Sequence, residues 1–301
     1  MGNTPYGFLQ ARDGIRLRYG SWPCRGTSHG GAVAVLGGRA EFMEKYIETI
    51  SELNARGFHT FSLDWRGQGL SDRMLADRSR GYVRTFGDYV TDLKLFLDEV
   101  VRPKCSGPLI LVAHSMGATV VLNYLRRFPR GVHKAVLLSP MIQFRTNPVP
   151  YTIAKWYCLL LTKLGKAHCN VPSLGRSESF RSSFTGNWLT HDAKRFHRVR
   201  QMLQDTPRLS ISGVTYGWLA ASFKAIEAVR HPEFAQHIQT SILVVTAGED
   251  RVVCNAVTDK FVAQLPASHT VCIEGAYHEI LQETDGIRAQ FWQAFDRFVS
   301  H

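Results

Sequence analysis

Short apolar runs alternate with segments of helical periodicity along most of this chain, and that alternation constrains its fold more than any other feature. The runs are GAVAVLGG (31–38), HTFSLD (59–64), PLILVAH (108–114), KAVLLSP (134–140), SILVVTAGED (241–250) and HTVCIEG (269–275). They read as strands. Between them lie EKYIETISELNARG (44–57), TFGDYVTDLKLFLDEVV (85–101), MGATVVLNYLRRF (116–128), a stretch around 255–265 and GIRAQFWQAFDRFV (286–299). These have the spacing of helices with one apolar face; Ile287, Phe291, Phe295 and Phe298 share such a face. Arg126 and Arg127 fall in the last turn of their helix, where cations suit its dipole. Strands alternating with helices predict an α/β fold, a mostly parallel sheet covered on both faces. PYGFLQARDGIRLRYGSW at the start predicts an antiparallel hairpin turning at Asp13-Gly14.

The pattern breaks between residues 141 and 235, where Pro148, Pro150, Gly165, Pro172, Gly175 and Gly186 interrupt the chain. Helical pieces occur there, YTIAKWYCLLLTKL (151–164) and HDAKRFHRVRQMLQ (191–204), but no convincing strand. The expected organisation is a core over 1–140, a helical insertion over 141–240 and the rest of the core over 241–301. A chain of 301 residues can bury such a core, and 45% apolar with 20% charged residues is ordinary globular composition. No apolar run has the length of a membrane span. The start MGNTPYGF lacks a basic, apolar leader, and Tyr6 stands where a myristoylation signal needs Ser or Thr. The expectation is a cytoplasmic protein. Cys24, Cys105, Cys158, Cys169, Cys254 and Cys272 are scattered and read as reduced, mostly buried thiols. The formal charge is +11, and residues 141–240 alone hold 13 Lys/Arg against 5 Asp/Glu. Lys194, Arg195, Arg198 and Arg200 cluster on one expected helix. That face is a solvated surface, a face for an acidic substrate, or a peripheral contact with an anionic membrane. No nucleic-acid-binding motif accompanies the charge. Oligomeric state is not legible.

A strand feeding straight into a helix makes a sharp turn that pushes its apical residue out of the core. Ser115 holds that place in AHSMG, with Ala113 and Gly117 as the small neighbours that closely crossing backbones require. The pattern is close to the G-x-S-x-G nucleophile elbow, with Ala113 replacing the first glycine. A serine hydroxyl is a poor nucleophile until a base takes its proton, and the base needs a third group to orient it. In this arrangement acid and histidine follow the serine in sequence. Asp250 ends one strand and His278 follows the next, so both reach the same sheet edge. The expected oxyanion donors are the backbone N–H groups of Met116, after the nucleophile, and Arg39, after Gly37-Gly38.

Other motifs lead elsewhere. RGQGLSDR (66–73) lacks the third glycine of a dinucleotide fingerprint; Asp64 and Arg66 read as braces for that loop. His278-Glu279 opens like a zinc motif, but position 282 is Gln, so no metal site is completed. His114 reads as packed beside the elbow, and Cys254 as structural. No cofactor is implied.

The chain resembles the α/β-hydrolase superfamily, in particular its monoacylglycerol lipase and bacterial lysophospholipase branch. The matching pieces are GGRAEFMEKY (37–46), DWRGQGLSD (64–72), AHSMGA (113–118), AGEDRVV (247–253) and EGAYHEI (274–280). GNWLTHDAKRF (186–196) and SGVTYGWLAAS (212–222) look like lid sequences of bacterial lysophospholipases. Gly37 stands where many relatives carry histidine. The resemblance implies Ser115 as nucleophile, His278 as base, Asp250 as orienting acid, and hydrolysis of a small lipid ester through an acyl-enzyme. It also implies that the 141–240 lid offers an acyl trough lined by Trp156, Leu159, Leu160, Phe180, Phe184, Trp218 and Phe223. Two other classes fit the same residues: a carboxylesterase or thioesterase for short acyl groups, and a non-catalytic small-molecule-binding protein of this fold.

Overall fold

The computed structural model describes residues 5–24, 31–105, 107–146, 148–172 and 183–300. Eight strands form one sheet: β1 Tyr6–Gln10, β2 Arg16–Trp22, β3 Ala32–Leu36, β4 His59–Leu63, β5 Leu109–His114, β6 Lys134–Leu138, β7 Ser241–Ala247 and β8 Ser268–Ile273. Their spatial order is β1-β2-β4-β3-β5-β6-β7-β8. The β1–β2 and β2–β4 pairs are antiparallel and every other pair is parallel. The hairpin turns where the sequence predicts, with Gly14 at φ 85°.

The pleat explains why the parallel strands are apolar throughout. Ala32, Ala34 and Leu36 of β3 and Leu109, Leu111 and Ala113 of β5 face one hydrophobic layer. Val33, Val35, Ile110 and Val112, the residues between them, face the other. The first layer is covered by α2 Phe86–Phe96, α3 Met116–Arg127 and α7 Asn255–Val262. The second is covered by α1 Ile47–Ala55 and α8 Asp285–Ser300, the latter through Phe291, Phe295 and Phe298. A strand buried on both faces has no use for alternation.

Between β6 and β7 the chain leaves the sheet and forms α4 Tyr151–Leu161, α5 Ala193–Asp205 and α6 Tyr216–Val229. The sequence reading found no strand here, yet Gly213–Val214 pairs in parallel with Arg80–Gly81. Two residues are too few to leave a periodicity. Helix α6 packs its Phe223, Ile226 and Val229 into the first layer. All six cysteines are free, but only Cys158 is buried, and Cys169 and Cys272 are exposed. The expectation of mostly buried thiols fails: Cys24, Cys105 and Cys254 are half-buried, and Cys272 lies on the edge strand β8, where His269 and Thr270 also meet solvent. Among the described residues no helix is long and apolar enough to cross a membrane.

Candidate active site

Strand β5 passes directly into α3 at Ser115, whose backbone is forced to φ 49°, ψ −112°. That region disfavours side chains, and the strain persists because the surroundings over-determine it. The Ser115 N–H donates to Leu138 O at 2.9 Å, and its carbonyl accepts from Met141 at 3.1 Å. Gly117 is required by space: a Cβ there would lie 2.6 Å from Gly37 O and 2.8 Å from Leu36 O. Ala113 is fully buried on β5 and pairs in register with Leu36, so the first small position tolerates a methyl group.

Asp250 follows β7 and His278 follows β8, both buried at this edge with Ser115. His278 Nδ1 lies 2.8 Å from Asp250 Oδ2, and His278 Nε2 lies 3.1 Å from Ser115 Oγ. The other Asp250 oxygen accepts from the N–H groups of Val252 at 2.8 Å and Val253 at 2.9 Å. Burial alone would raise the Asp250 pKa, but the facing His278 and these N–H donors hold it below the usual value. An ionised carboxylate only accepts, so Nδ1 carries the proton. Nε2 then presents its lone pair to the serine hydroxyl, the arrangement a general base needs.

The Gly37–Arg39 turn packs against this hinge: a Cβ on Gly38 would meet Ser115 Cβ at 3.2 Å. Among the described residues, the N–H groups of Arg39 and Met116 make no hydrogen bond within the protein. Two donors left open beside a nucleophile can serve a developing oxyanion.

Behind the serine lies a buried polar cluster that sequence reasoning missed. Glu41 accepts from Gly38 N–H, from Tyr46 Oη at 2.5 Å and from Lys45 Nζ at 2.7 Å, and faces His114 Nδ1 at 3.0 Å. Lys45 also pairs with Glu279 at 2.6 Å. His114 Nε2 lies 3.1 Å from the carbonyl of His278. Both ring nitrogens of His114 therefore face acceptors, which makes the ring a cation with two donors. Burial opposes its charge, but Glu41 overcomes that and raises its pKa. Burial likewise opposes ionisation of Glu41, but Lys45 and His114 hold its pKa well below the carboxylate range. Glu41 thus joins the Gly38 turn, the serine strand and the histidine loop. Its signal was in the quoted GGRAEFMEKY, but a glutamate near a lysine in sequence does not disclose burial. Asp64 and Arg66 do brace their loop: Asp64 accepts from Met43 and Leu70 N–H, and Arg66 pairs with Asp13 and Asp92.

The expected trough residues scatter. Phe180 lies outside the described residues. Trp156 and Leu160 turn away from the body and are more than half exposed, because they occupy the outer face of α4. Leu159 is half-buried on the same helix. Phe184 is half-buried against Phe196 at 5.5 Å. Phe223 has no exposed surface; it sits 5.0 Å from both Phe144 and Tyr151, so its ring is core. Trp218 is buried beside the turn, its ring 5.2 Å from the Arg39 guanidinium. The cationic helix α5 is also not a free face. Arg195 pairs with Glu48 at 2.5 Å, with Asp192 at 2.8 Å and with Asp285 at 2.6 Å, and Arg198 pairs with Glu48 at 2.8 Å. Like-signed residues at helical spacing looked like a patch because their partners come from distant parts of the chain.

The family model described as serine aminopeptidase, S33 matches residues 27–285. Lysophospholipase L2 of Escherichia coli (strain K12) is 33% identical over 88% of this chain and 79% of its own length. The monoacylglycerol lipase of Mycolicibacterium smegmatis is 22% identical over 90% of this chain and 89% of its own. Among solved structures, a soluble variant of monoglyceride lipase from Saccharomyces cerevisiae superposes with a TM-score of 0.77 at 18% identity, covering 97% of this chain and 93% of that one. A carboxyl esterase from Bacillus coagulans reaches the same TM-score and identity with 99% of each chain covered. These superpositions establish the fold.

Proposed function

The chain belongs to the serine aminopeptidase, S33 family of α/β-hydrolases, and on that premise we propose that it is a serine hydrolase of small lipid esters, lysophospholipids or monoacylglycerols. The observation that carries this is the hydrogen-bonded line from Asp250 through His278 to Ser115 at a strained strand-to-helix turn. His278 Nε2 takes the hydroxyl proton as Ser115 Oγ attacks the ester carbonyl. The carbonyl oxygen gains its charge against the N–H groups of Arg39 and Met116. The tetrahedral adduct collapses as His278 returns the proton to the departing alcohol oxygen, leaving an acyl-serine. Water, deprotonated by the same nitrogen, releases the fatty acid and restores the serine. Asp250 keeps the proton on Nδ1 and stabilises the imidazolium at each step.

Segment 141–240 acts as the lid, with Trp218 against the Arg39 side chain. The names of the relatives support lipid substrates, as does the apolar outer face of α4. That face makes α4, in place of α5, the element that meets a membrane peripherally. The test is hydrolysis of acylglycerol and lysophospholipid by wild type and Ser115→Ala. Loss of at least roughly 10³-fold in a folded variant is expected, as removal of a triad member usually gives. Comparable rates in the two proteins would overturn the reading.

A further inference from the structure

Arg39 holds a positive charge that the protein does not answer. Its Nη2 donates to Gly213 O at 2.5 Å, and its guanidinium carbon lies 5.2 Å from the ring centroid of Trp218. Its buried Nε has no hydrogen-bond partner, and no Asp or Glu pairs with it among the described residues. The other arginines buried in this body are treated differently. Arg18 pairs with Asp64 and Glu44, Arg66 with Asp13 and Asp92, Arg195 with Glu48, and Arg288 with Glu52. Arg73, a further half-buried arginine without a carboxylate, gives its donors to the carbonyls of Ser71, Arg78, Arg208 and Ser210. Arg39 has one carbonyl and the face of an aromatic ring. Burial lowers its pKa to about 10, which leaves it charged at neutral pH. A buried guanidinium nitrogen with no acceptor is costly, and the anion of a ligand would answer the charge it belongs to.

Its position indicates which anion. Arg39 follows Gly38, where a Cβ would lie 3.2 Å from Ser115 Cβ, so its side chain starts beside the nucleophile and extends one side-chain length from it. In a lysophospholipid the phosphate stands a glycerol's length from that same ester, a comparable reach. A guanidinium matches phosphate oxygens better than an ammonium does, through its planar array of donors. We propose that the side chain of Arg39 is a specificity-determining group that binds the phosphate of a lysophospholipid while the ester lies at Ser115. The inference rests on the lipid-esterase reading and extends it from lipid esters in general to phosphate-bearing ones.

Binding separates the two readings. On a Ser115→Ala background, octanoylglycerol phosphate and octanoylglycerol are titrated calorimetrically at concentrations below micelle formation, with inorganic phosphate as a third ligand. The phosphorylated lipid is expected to bind at least about tenfold tighter than the neutral one, a difference of about 1.4 kcal/mol. Adding Arg39→Met should abolish that difference. Adding Arg39→Lys should keep part of it, since charge remains but the fork is lost. Melting temperatures of the variants confirm folding. In the Ser115 protein, the ratio of kcat/KM for the two lipids should fall about tenfold on Arg39→Met. An unchanged preference in Arg39→Met, no preference in the parent, or inorganic phosphate binding as tightly as the lipid would each overturn the assignment. If the wild type cleaves neither lipid, the esterase reading fails, and the calorimetric comparison still decides whether Arg39 reads the phosphate.

Discussion

His114 illustrates what a single side chain does here beyond filling space. Its two N–H groups tie Glu41 to the carbonyl of His278, so it sets the height of the base over the serine. The sequence places it beside the elbow and no further, because Glu41, Lys45 and Glu279, and Tyr46 through Glu41, gather around it only on folding. The raised pKa has a defined consequence. A histidine bound more tightly as a cation in the fold than in the unfolded chain contributes stability below its unfolded pKa, about 6.5. That contribution disappears as pH rises through the higher folded value. His114→Gln should therefore lower stability by about 1–3 kcal/mol near pH 6, and the deficit should shrink towards pH 9. Chemical denaturation of both proteins across that range measures it. A deficit independent of pH would mean that the ring is neutral and serves only as packing. By contrast, the partners of Ser115 were legible, because each ends or follows a strong strand on one sheet edge.

At the scale of elements, the sheet was legible from its apolar runs, and the helices from their periodicity, because both are local patterns. The burial of each helix face was not. YTIAKWYCLLLTKL is apolar nearly all round, which reads equally as a trough wall or as core, and the structure gives neither. Cys158 is buried and Tyr151 and Ala154 pack inward, while Ile153, Trp156, Tyr157, Leu160 and Leu164 are more than half exposed along one side. From Met141 to Ser177 the chain has no Asp or Glu, and Lys163 and Lys166 flank the exposed face. Aromatic and aliphatic side chains bordered by cations suit the headgroup boundary of an anionic bilayer. Trp156→Glu with Leu160→Glu should reduce co-sedimentation with vesicles containing anionic lipid by at least about fivefold, since each exposed apolar side chain contributes roughly 1 kcal/mol or more on insertion. Hydrolysis of a small soluble ester should be retained. Undiminished sedimentation of the double variant would remove α4 as the contact. Lys194→Glu with Arg198→Glu is the matched control on α5, whose cations are largely answered within the protein.

Across the whole molecule, Glu48 fastens three parts that lie far apart in the chain. It sits on α1 and pairs with Arg195 and Arg198 of α5 and with Arg288 of α8. Arg195 continues the link to Asp285, and its Nη1 donates to Glu283 O at 2.8 Å. The same stretch reaches the histidine loop: Glu279 N–H donates to Leu189 O at 2.9 Å, and His191 stacks on Tyr277 at 3.7 Å. The inserted segment is thus anchored at α5, next to His278, and presents α4 outward. No sequence pattern discloses this, since its members are separated by most of the chain. The hydrogen bond from Arg195 leads the effects that lower the Glu48 pKa to about 2, against a partial burial that opposes it. A carboxylate with a depressed folded pKa stabilises above its unfolded value, about 4.3, and loses that contribution as pH falls through the folded one. The anchor should therefore hold at neutral pH and release between about pH 4 and 2. Because Glu48 is partly exposed, solvent screening limits the contribution to about 1 kcal/mol. Glu48→Gln should reproduce the release at neutral pH: amide exchange across α5 should quicken about fivefold while β5 and β6 stay protected, as local opening requires. Uniform acceleration across the sheet as well would show that Glu48 stabilises the whole fold and not the attachment of α5.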